Sequence, residues 1–271
     1  MSTEIDLTRP NEGRIIDCWL GGTHNFEIDR LAAGRLASHA PPLVQELKTE
    51  RKQLVRVVTY MVKEKGLRHF LDFGSGLPTC GNTHETALAI EPAVKVIYSD
   101  IDRVTVAYGQ QILRDTPHVR YLWCDAADVR TLLQSRDLEE HFGGERRVGI
   151  VFMGLGHILS DEALAGALHT LYEWAGEGSY MLYTDTSGET WNTEPILIEA
   201  NRMVAQSGLK KYYHRTKEEL LRLLSPWKLT EHGVADNAQW GLAPWNADST
   251  GLANNEVTPG LLIGHSMVLY K

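Results

Sequence analysis

Cysteine is scarce. The 271 residues hold only Cys18, Cys80 and Cys124, widely spaced and with no C-x-x-C among them. An odd, scattered set argues against a disulfide framework and points to a reducing compartment. No apolar run approaches the roughly 20 residues needed to cross a bilayer. The opening M-S-T-E-I-D-L-T is polar and acidic, with no visible leader peptide. Positive charge is in deficit as well. A formal net charge of −8 argues against nonspecific nucleic-acid binding, because neutralising phosphates with a basic face supplies most of that affinity. The one dense basic group, Lys210, Lys211, His214, Arg215 and Lys217, reads as a solvated loop and helix start. There is no H-E-x-x-H or H-x-x-x-H spacing for a metal and no G-x-x-x-x-G-K-[ST] phosphate loop. Neither a metal nor a membrane or nucleic-acid partner is expected, and the expected setting is cytoplasmic.

A hydrophobic content of 43% and a charged content of 23% are ordinary for a folded globular chain. Helical spacing marks residues 14–20, closed by Gly21 and Gly22, then residues 27–38, stopped by Pro41 and Pro42, then residues 44–64. An alternation follows. Strands are expected at 70–73, 95–99, 119–123, 148–153 and 178–183, and helices at 82–89, 102–113, 129–135 and 160–174. The charged stretch 137–147 reads as a loop. Later come helices at 192–207 and 217–224 and strands at 227–234 and 265–271. Repeated β-α units favour a mostly parallel sheet with helices on both faces. The last two strands, joined by a loop, suit an antiparallel hairpin at its edge. The expected division is a helical preface at 1–66 and an α/β domain at 67–271, with acceptor-side insertions at about 186–260.

The chain is organised around L-D-F-G-S-G-L-P-T-C-G-N-T-H-E at 71–85. A short buried strand, a glycine turn and a helix bring bare backbone to a ligand at the carboxyl edge of an α/β sheet. Asp72, Asp100 with Asp102, and Asp125 lie at the ends of three consecutive strands. A carboxylate past the second strand can accept both hydroxyls of a ribose, and one past the third can accept from an adenine amino group. The run lacks G-x-G-x-x-G spacing, and Pro78 has no N–H for a pyrophosphate. An adenosine ligand with an ammonium for Asp72, and a carboxylate for the backbone N–H groups near 75–77, fits better. That description is S-adenosylmethionine.

The chain resembles class I methyltransferases. More closely it is similar to a bacterial family abundant in actinomycetes, long catalogued as a domain of unknown function and then as S-adenosyl methyltransferases. Two stretches carry the likeness: R-I-I-D-C-W-L-G-G-T-H-N-F-E-I-D-R at 14–30 and the 71–85 run. The resemblance implies a Rossmann-like seven-stranded sheet with the last strand antiparallel, and an N-terminal segment folded over cofactor or acceptor. The expected cofactor set is Asp72, Gly74, Ser75, Gly76, Pro78, Thr79, Asn82, Asp100, Ile101, Asp102, Asp125, Ala126, Met153 and Gly154, with Gly22 and Asn25 from the preface. The chain departs from the family pattern at Cys18, Trp19, Gly156 and the stretch after the fifth strand.

For the chemistry, His157 after strand four and Asp185 after strand five are candidate bases, with Tyr183 beside them. A loop hydrogen bond or a capping role is the alternative for each. His84 and Glu85 read as supports of the glycine loop. Trp191, Trp240 and Trp245 are candidates to shape an acceptor cavity. The expected function is methyl transfer from S-adenosylmethionine to a small-molecule acceptor, with a homodimer as the candidate assembly. Two rivals remain: cyclisation or cleavage of the cofactor's aminobutyrate arm, releasing methylthioadenosine, and a non-catalytic regulator that binds the same ligand.

Overall fold

The computed structural model describes residues 8–39, 41–78, 81–206, 212–236 and 264–271. Trp240 and Trp245 lie outside these, as do Thr79, Cys80, Lys210 and Lys211. Three helices come first: α1 (Glu12–Trp19), α2 (Glu27–His39) and α3 (Pro41–Lys63). The sheet is built from β1 (His69–Phe73), β2 (Lys95–Asp100), β3 (Val119–Trp123), β4 (Gly149–Phe152), β5 (Tyr180–Thr186), β6 (Lys228–Asp236) and β7 (Gly264–Tyr270). The strand order is β3-β2-β1-β4-β5-β7-β6. The first five strands pair in parallel, and β7 runs antiparallel to both β5 and β6. The expected α/β class and terminal hairpin are both present, with β7 inserted between β5 and the edge strand β6.

Side chains alternate between two apolar layers, as the pleat requires. Phe70, Val96, Tyr98, Val151, Leu182 and Val268 face one layer with Val57, Val58 and Met61 of α3. Leu71, Phe73, Ile97, Ile150, Phe152, Met181 and Met267 face the other. There they meet Leu164, Leu168 and Leu171 of α8 (Asp161–Trp174). Both faces are therefore covered, which is the condition under which parallel sheets occur. The helix α3 belongs to the preface in sequence but packs as a layer on the sheet. Its Gln53, wholly buried, donates to Ser266 of β7.

Two boundaries differ from the sequence expectation for identifiable reasons. The prolines that were expected only to stop α2 begin α3, whose first residue is Pro41. Proline suits that position because the first helical N–H has no partner to lose. The expected loop at 137–147 holds most of α7 (Arg136–Phe142), which follows the single-turn α6 (Arg130–Leu133). Ser135 caps it by accepting from Leu138 N–H at 3.2 Å, and Gly143 ends it at φ 65°. Leu138, His141 and Phe142 form its buried stripe, while most of its charges lie outside. A charged stretch of seven residues with three apolar-facing positions carries too little periodicity to announce itself.

The α1–α2 corner is held by an ion pair. Arg14 Nε donates to Asp29 Oδ2 at 2.8 Å, with side-chain exposures of 4% and 0%. Burial pushes the Asp29 carboxyl up. The hydrogen bond from Arg14 and the N–H groups of Asn11 and Phe26 outweigh it and hold the group below the usual carboxylate range. Replacing Arg14 by alanine leaves a buried carboxylate without its cation. The expected cost is about 3–5 kcal/mol, read as loss of amide-exchange protection across residues 12–39 while β1 and β4 keep theirs.

Candidate functional site

The carboxyl ends of β1, β2 and β3 meet at the glycine turn. Gly74 and Gly76 have φ of 60° and 62°, a region that side chains other than glycine's rarely enter. A Cβ on Gly74 would strike Leu155, at 2.5 Å, whereas the space beside Gly76 is open. Ser75 N–H donates to Ser99 O at 3.1 Å, and Gly76 N–H to Asp100 Oδ2 at 3.2 Å. Of the three backbone donors expected to receive a carboxylate, Leu77 alone keeps its N–H free among the described residues.

Asp72 points to the α3–α4 side, where α4 is Thr83–Ile90. Its Oδ2 accepts from Thr83 Oγ1 at 2.6 Å, and the residue is 6% exposed. Burial drives its pKa up to about 7, against the opposing pull of Thr83 and of Arg51's charge. Arg51 itself donates to Asn82 Oδ1 at 2.8 Å. That contact fixes the orientation of the Asn82 amide, since only its oxygen can face a guanidinium. Asn82 Nδ2 is left buried and without a partner. An acidic group short of a cation and an amide donor short of an acceptor therefore stand on neighbouring elements. This is the complement of an ammonium and a carboxylate carried on one carbon. His84 and Glu85 support this turn as expected: His84 N–H donates to Tyr98 Oη at 2.8 Å, and Glu85 accepts from Asn82 N–H at 2.9 Å.

The other expected cofactor residues divide by what they already hold. Asp100 takes Gly76 N–H on one oxygen and Asp102 N–H, at 2.9 Å, on the other. Each oxygen keeps capacity for a second donor. Burial raises its pKa, and these N–H groups oppose the rise. Asp102 is committed elsewhere. It caps α5 (Arg103–Ile112), accepting from the N–H groups of Val104 and Thr105 and from Thr105 Oγ1. Ile101 stands 47% exposed beside them, its carbonyl accepting from Trp123 Nε1. Asp125 accepts from Ala127 N–H at 2.9 Å, next to a half-buried Ala126. Gly154, at φ 64°, donates to Thr184 Oγ1 at 3.0 Å, and Met153 is half-buried. Pro78 is buried.

Gly22 and Asn25 belong to the α1–α2 corner. Asn25 Nδ2 donates to Asp17 Oδ2 at 2.7 Å and to Gly22 O at 2.9 Å, and its own Oδ1 accepts from Arg30. A Cβ on Gly22 would fall 2.0 Å from Asp17 Oδ1. Among the described residues, the corner reaches the rest of the site at Gly13 and at His24. Gly13 lies against Leu77 of the glycine turn, and His24 Nδ1 is 3.3 Å from Tyr108 Oη on α5.

Beyond β4 and β5 lies a second cluster. Tyr183 Oη donates to Asp185 Oδ2 at 2.6 Å, and the two residues are 0% and 4% exposed. Asp185 is raised by burial to about 6, with Tyr183, Thr186 and Arg215 opposing. Arg215 is buried, in contrast to the solvated reading of its basic stretch. It donates to Gly156 O, Leu159 O and Asp161, and its Nη1 is 3.7 Å from Asp185. Gly156 opens a short 3-10 turn, Gly156–Ile158, which rests on this knot. His157 in that turn stands edge-on to Tyr212 at 5.0 Å between ring centroids. Burial first, then the charges of His214 and Arg215, lower it to about 4. His157 Nδ1 and His214 Nε2 are both buried and unpartnered, at a cost of about 1–3 kcal/mol apiece. Sequence reasoning missed Arg51, Thr83, Thr186 and the inward turn of His214 and Arg215. The hydroxyl residues gave no signal, and the basic run looked like surface.

Among the described residues, no helix is long and apolar enough to cross a membrane, and no group of three or more His, Cys, Asp or Glu is placed to hold a metal.

A family model described as S-adenosyl methyltransferase matches residues 1–259. No curated protein matches the sequence. A candidate methyltransferase from Thermobifida fusca YX is 30% identical, with a TM-score of 0.81 over 98% of this chain and 96% of that one. A DUF574 family protein from Streptomyces avermitilis MA-4680 is 25% identical, with a TM-score of 0.81 over 99% of this chain and 100% of that one. The S-adenosylmethionine-dependent methyltransferase SibL shares the fold alone: 12% identity, a TM-score of 0.52, and coverage of 90% and 59%.

Asp72 supplies a test on the free protein. Its folded pKa, near 7, lies above the unfolded value of 3.8. The folded state therefore holds the proton more tightly, and the penalty for an ionised buried carboxylate is full above pH 7 and relieved as pH falls toward 4. Asp72→Asn is expected to be more stable than the wild type at pH 8, by roughly 3–5 kcal/mol, and to converge with it near pH 4. Urea denaturation at the two pH values checks the sign.

Proposed function

Because the chain belongs to the S-adenosyl methyltransferase family, and so is a transferase dependent on S-adenosylmethionine, we propose that it methylates a small-molecule acceptor held beside the ends of β4 and β5. The observation that carries the cofactor placement is the pairing of Asp72 with the orphaned Nδ2 of Asn82. In this reading Asp72 receives the ammonium, and Asn82 Nδ2 with Leu77 N–H receives the carboxylate. The open side of Gly76 leaves room for the chain between. Asp100 takes the ribose hydroxyls on its spare lone pairs, and Asp125 faces the adenine. Asp102 serves the site indirectly, by fixing the start of α5.

When bound, the cofactor supplies a methyl group made electrophilic by its sulfonium. The protein's share is to hold a nucleophile in line with it at about 3–3.5 Å and to keep water out. The α1–α2 corner does the covering, with Gly13 over the glycine turn and His24 against α5. Within the 1–66 preface, α1 and α2 form the cap, and α3 carries the sheet. The described parts of the 186–260 region, residues 186–206 and 212–236, supply the acceptor wall, and the rest of that region lies outside the described residues. Tyr183 and Asp185, occupied with each other and with Arg215, hold the 156–158 turn in place, and His157 lines the acceptor side. A net charge of −8 disfavours nucleic acid as the acceptor. The free thiols of Cys18 and Cys124 fit a cytoplasmic setting, and a homodimer is the assembly carried forward with this reading.

Two measurements test the proposal. Binding of S-adenosylmethionine requires Asp72 ionised, so affinity should be flat above pH 7 and fall about tenfold for each pH unit below it. Asp72→Asn should weaken binding by at least about thirtyfold and abolish that pH dependence, as read by calorimetry. In turnover with an extract of small metabolites, S-adenosylhomocysteine is the expected product. Accumulation of methylthioadenosine would mean that the aminobutyrate arm is the group attacked.

A further inference from the structure

The acceptor side contains an arrangement that the reading above leaves unused. Ser187 pairs with Arg215 as an isolated parallel bridge, so the chain at 212–216 runs alongside the end of β5. Gly188 N–H donates to Arg215 O at 2.8 Å, and a Cβ on Gly188 would fall 2.5 Å from the Arg215 backbone. This close approach brings His214 against Thr186. Its Nδ1 is 2.8 Å from Thr186 Oγ1, and that hydroxyl in turn reaches Asp185 Oδ1 at 3.5 Å. Trp191 stacks on the imidazole, with 4.6 Å between centroids and 10° between planes, and fixes the plane of the ring.

The order of these groups decides which nitrogen of His214 carries the proton. A carboxylate only accepts, so the hydroxyl proton of Thr186 goes to Asp185. The threonine oxygen then accepts from His214 Nδ1–H. A neutral imidazole has one proton, so Nε2 is left with a bare lone pair. That atom is buried and has no donor. Its surroundings are aromatic: Trp191 lies on one ring face and Tyr212 edge-on, and His157, with its own orphaned Nδ1, is edge-on to the same tyrosine. Burial first, then the charge of Arg215, hold His214 neutral down to about 4.

We propose that His214 Nε2 is the atom that takes the proton from the methyl acceptor, and that the acceptor is an aromatic compound bearing a hydroxyl group. This rests on the methyl-transfer reading above. As the acceptor oxygen forms its bond to the methyl carbon, the carbon–sulfur bond breaks with its electron pair going to sulfur. The hydroxyl proton passes to His214 Nε2 and leaves to solvent after release. Burial and Arg215 disfavour the imidazolium, so it forms only as the methyl group is transferred, is opposed in part by Asp185 acting through Thr186, and gives up its proton readily. Thr186 and Asp185 are positioning residues, whereas His214 touches the acceptor.

The test uses the full chain with labelled histidine nitrogens, saturated with S-adenosylhomocysteine, and phenol as the probe. Nitrogen NMR is expected to show His214 protonated at Nδ1 and bare at Nε2, with phenol shifting the Nε2 resonance. His214→Gln assigns the signal by removing it. Thr186→Val deletes the acceptor for Nδ1–H. The ring should then revert to the Nε2–H form and lose the phenol response, while the affinity for S-adenosylhomocysteine stays within twofold. A wild-type ring protonated at Nε2, or an Nε2 resonance indifferent to phenol, overturns the proposal. A second arm follows methyl label into hydroxyarenes and into arylamines of the same skeletons. Label in the hydroxyarenes, falling at least about a hundredfold in His214→Gln, supports it. Label in the arylamines alone, or in neither set, overturns the acceptor class. These failures leave methyl transfer itself standing, because that reading falls only if the cofactor yields methylthioadenosine.

Discussion

A carboxylate kept dry at the end of the central strand constrains everything around it. Asp72 sits on β1, between β2 and β4, and has one hydroxyl as its hydrogen-bond donor. An ionised group in that position is unfavourable unless a cation arrives. The two apolar layers carry that cost. Phe70 and Met61 are wholly buried on the same side of the sheet, and Phe73 and Phe152 on the other. The Arg51–Asn82 contact and Tyr98, which accepts from His84 N–H, stand around it, and the charge of Arg51 offsets only part of the cost of burial. The site is preorganised in the sense that its polar groups are already aimed and already desolvated.

The acceptor side is balanced differently. Here a cation is present and is shared. One buried guanidinium, that of Arg215, serves two carbonyls and two carboxylates drawn from the 156–161 stretch and the end of β5. Tying these segments to one cation makes the edge of β4 and β5 rigid at the point where a substrate must be oriented. Burial first, and this charge after it, keep both neighbouring histidines neutral, because each disfavours a protonated imidazole. The two halves of the site are therefore complementary: one short of positive charge, the other furnished with uncharged lone pairs.

The fold was legible because its signals are local and redundant. Apolar runs ending in aspartate at 72, 100 and 125, separated by helical spacing, allow few arrangements besides a parallel sheet. The cofactor side was read from signals of the same kind, since glycine and aspartate at strand ends suit backbone approach and polar ligation. What was hidden is what one residue does at the expense of another reading. Asp102 looked like a ribose ligand, and its Oδ2 is taken up in capping α5 while its Oδ1 accepts one N–H there, a competition that short acidic side chains regularly enter. Arg215 looked solvated, because nothing in K-K-Y-Y-H-R-T-K says that one cation of the run turns inward. His214 acquires its significance only from Thr186, which lies 28 residues away in sequence.

Gly156 sits where a single methyl group would decide the architecture of the acceptor side. A Cβ there would come within 2.2 Å of both the Tyr183 hydroxyl and an Asp185 oxygen. Any related chain with a larger residue at the equivalent position must therefore have taken the tyrosine–aspartate pair apart or lifted the turn away from it. One alignment column thus becomes a sorting criterion. It separates relatives that share this binding floor, and can be surveyed together for a common substrate, from those that have rebuilt it and diverged in what they modify.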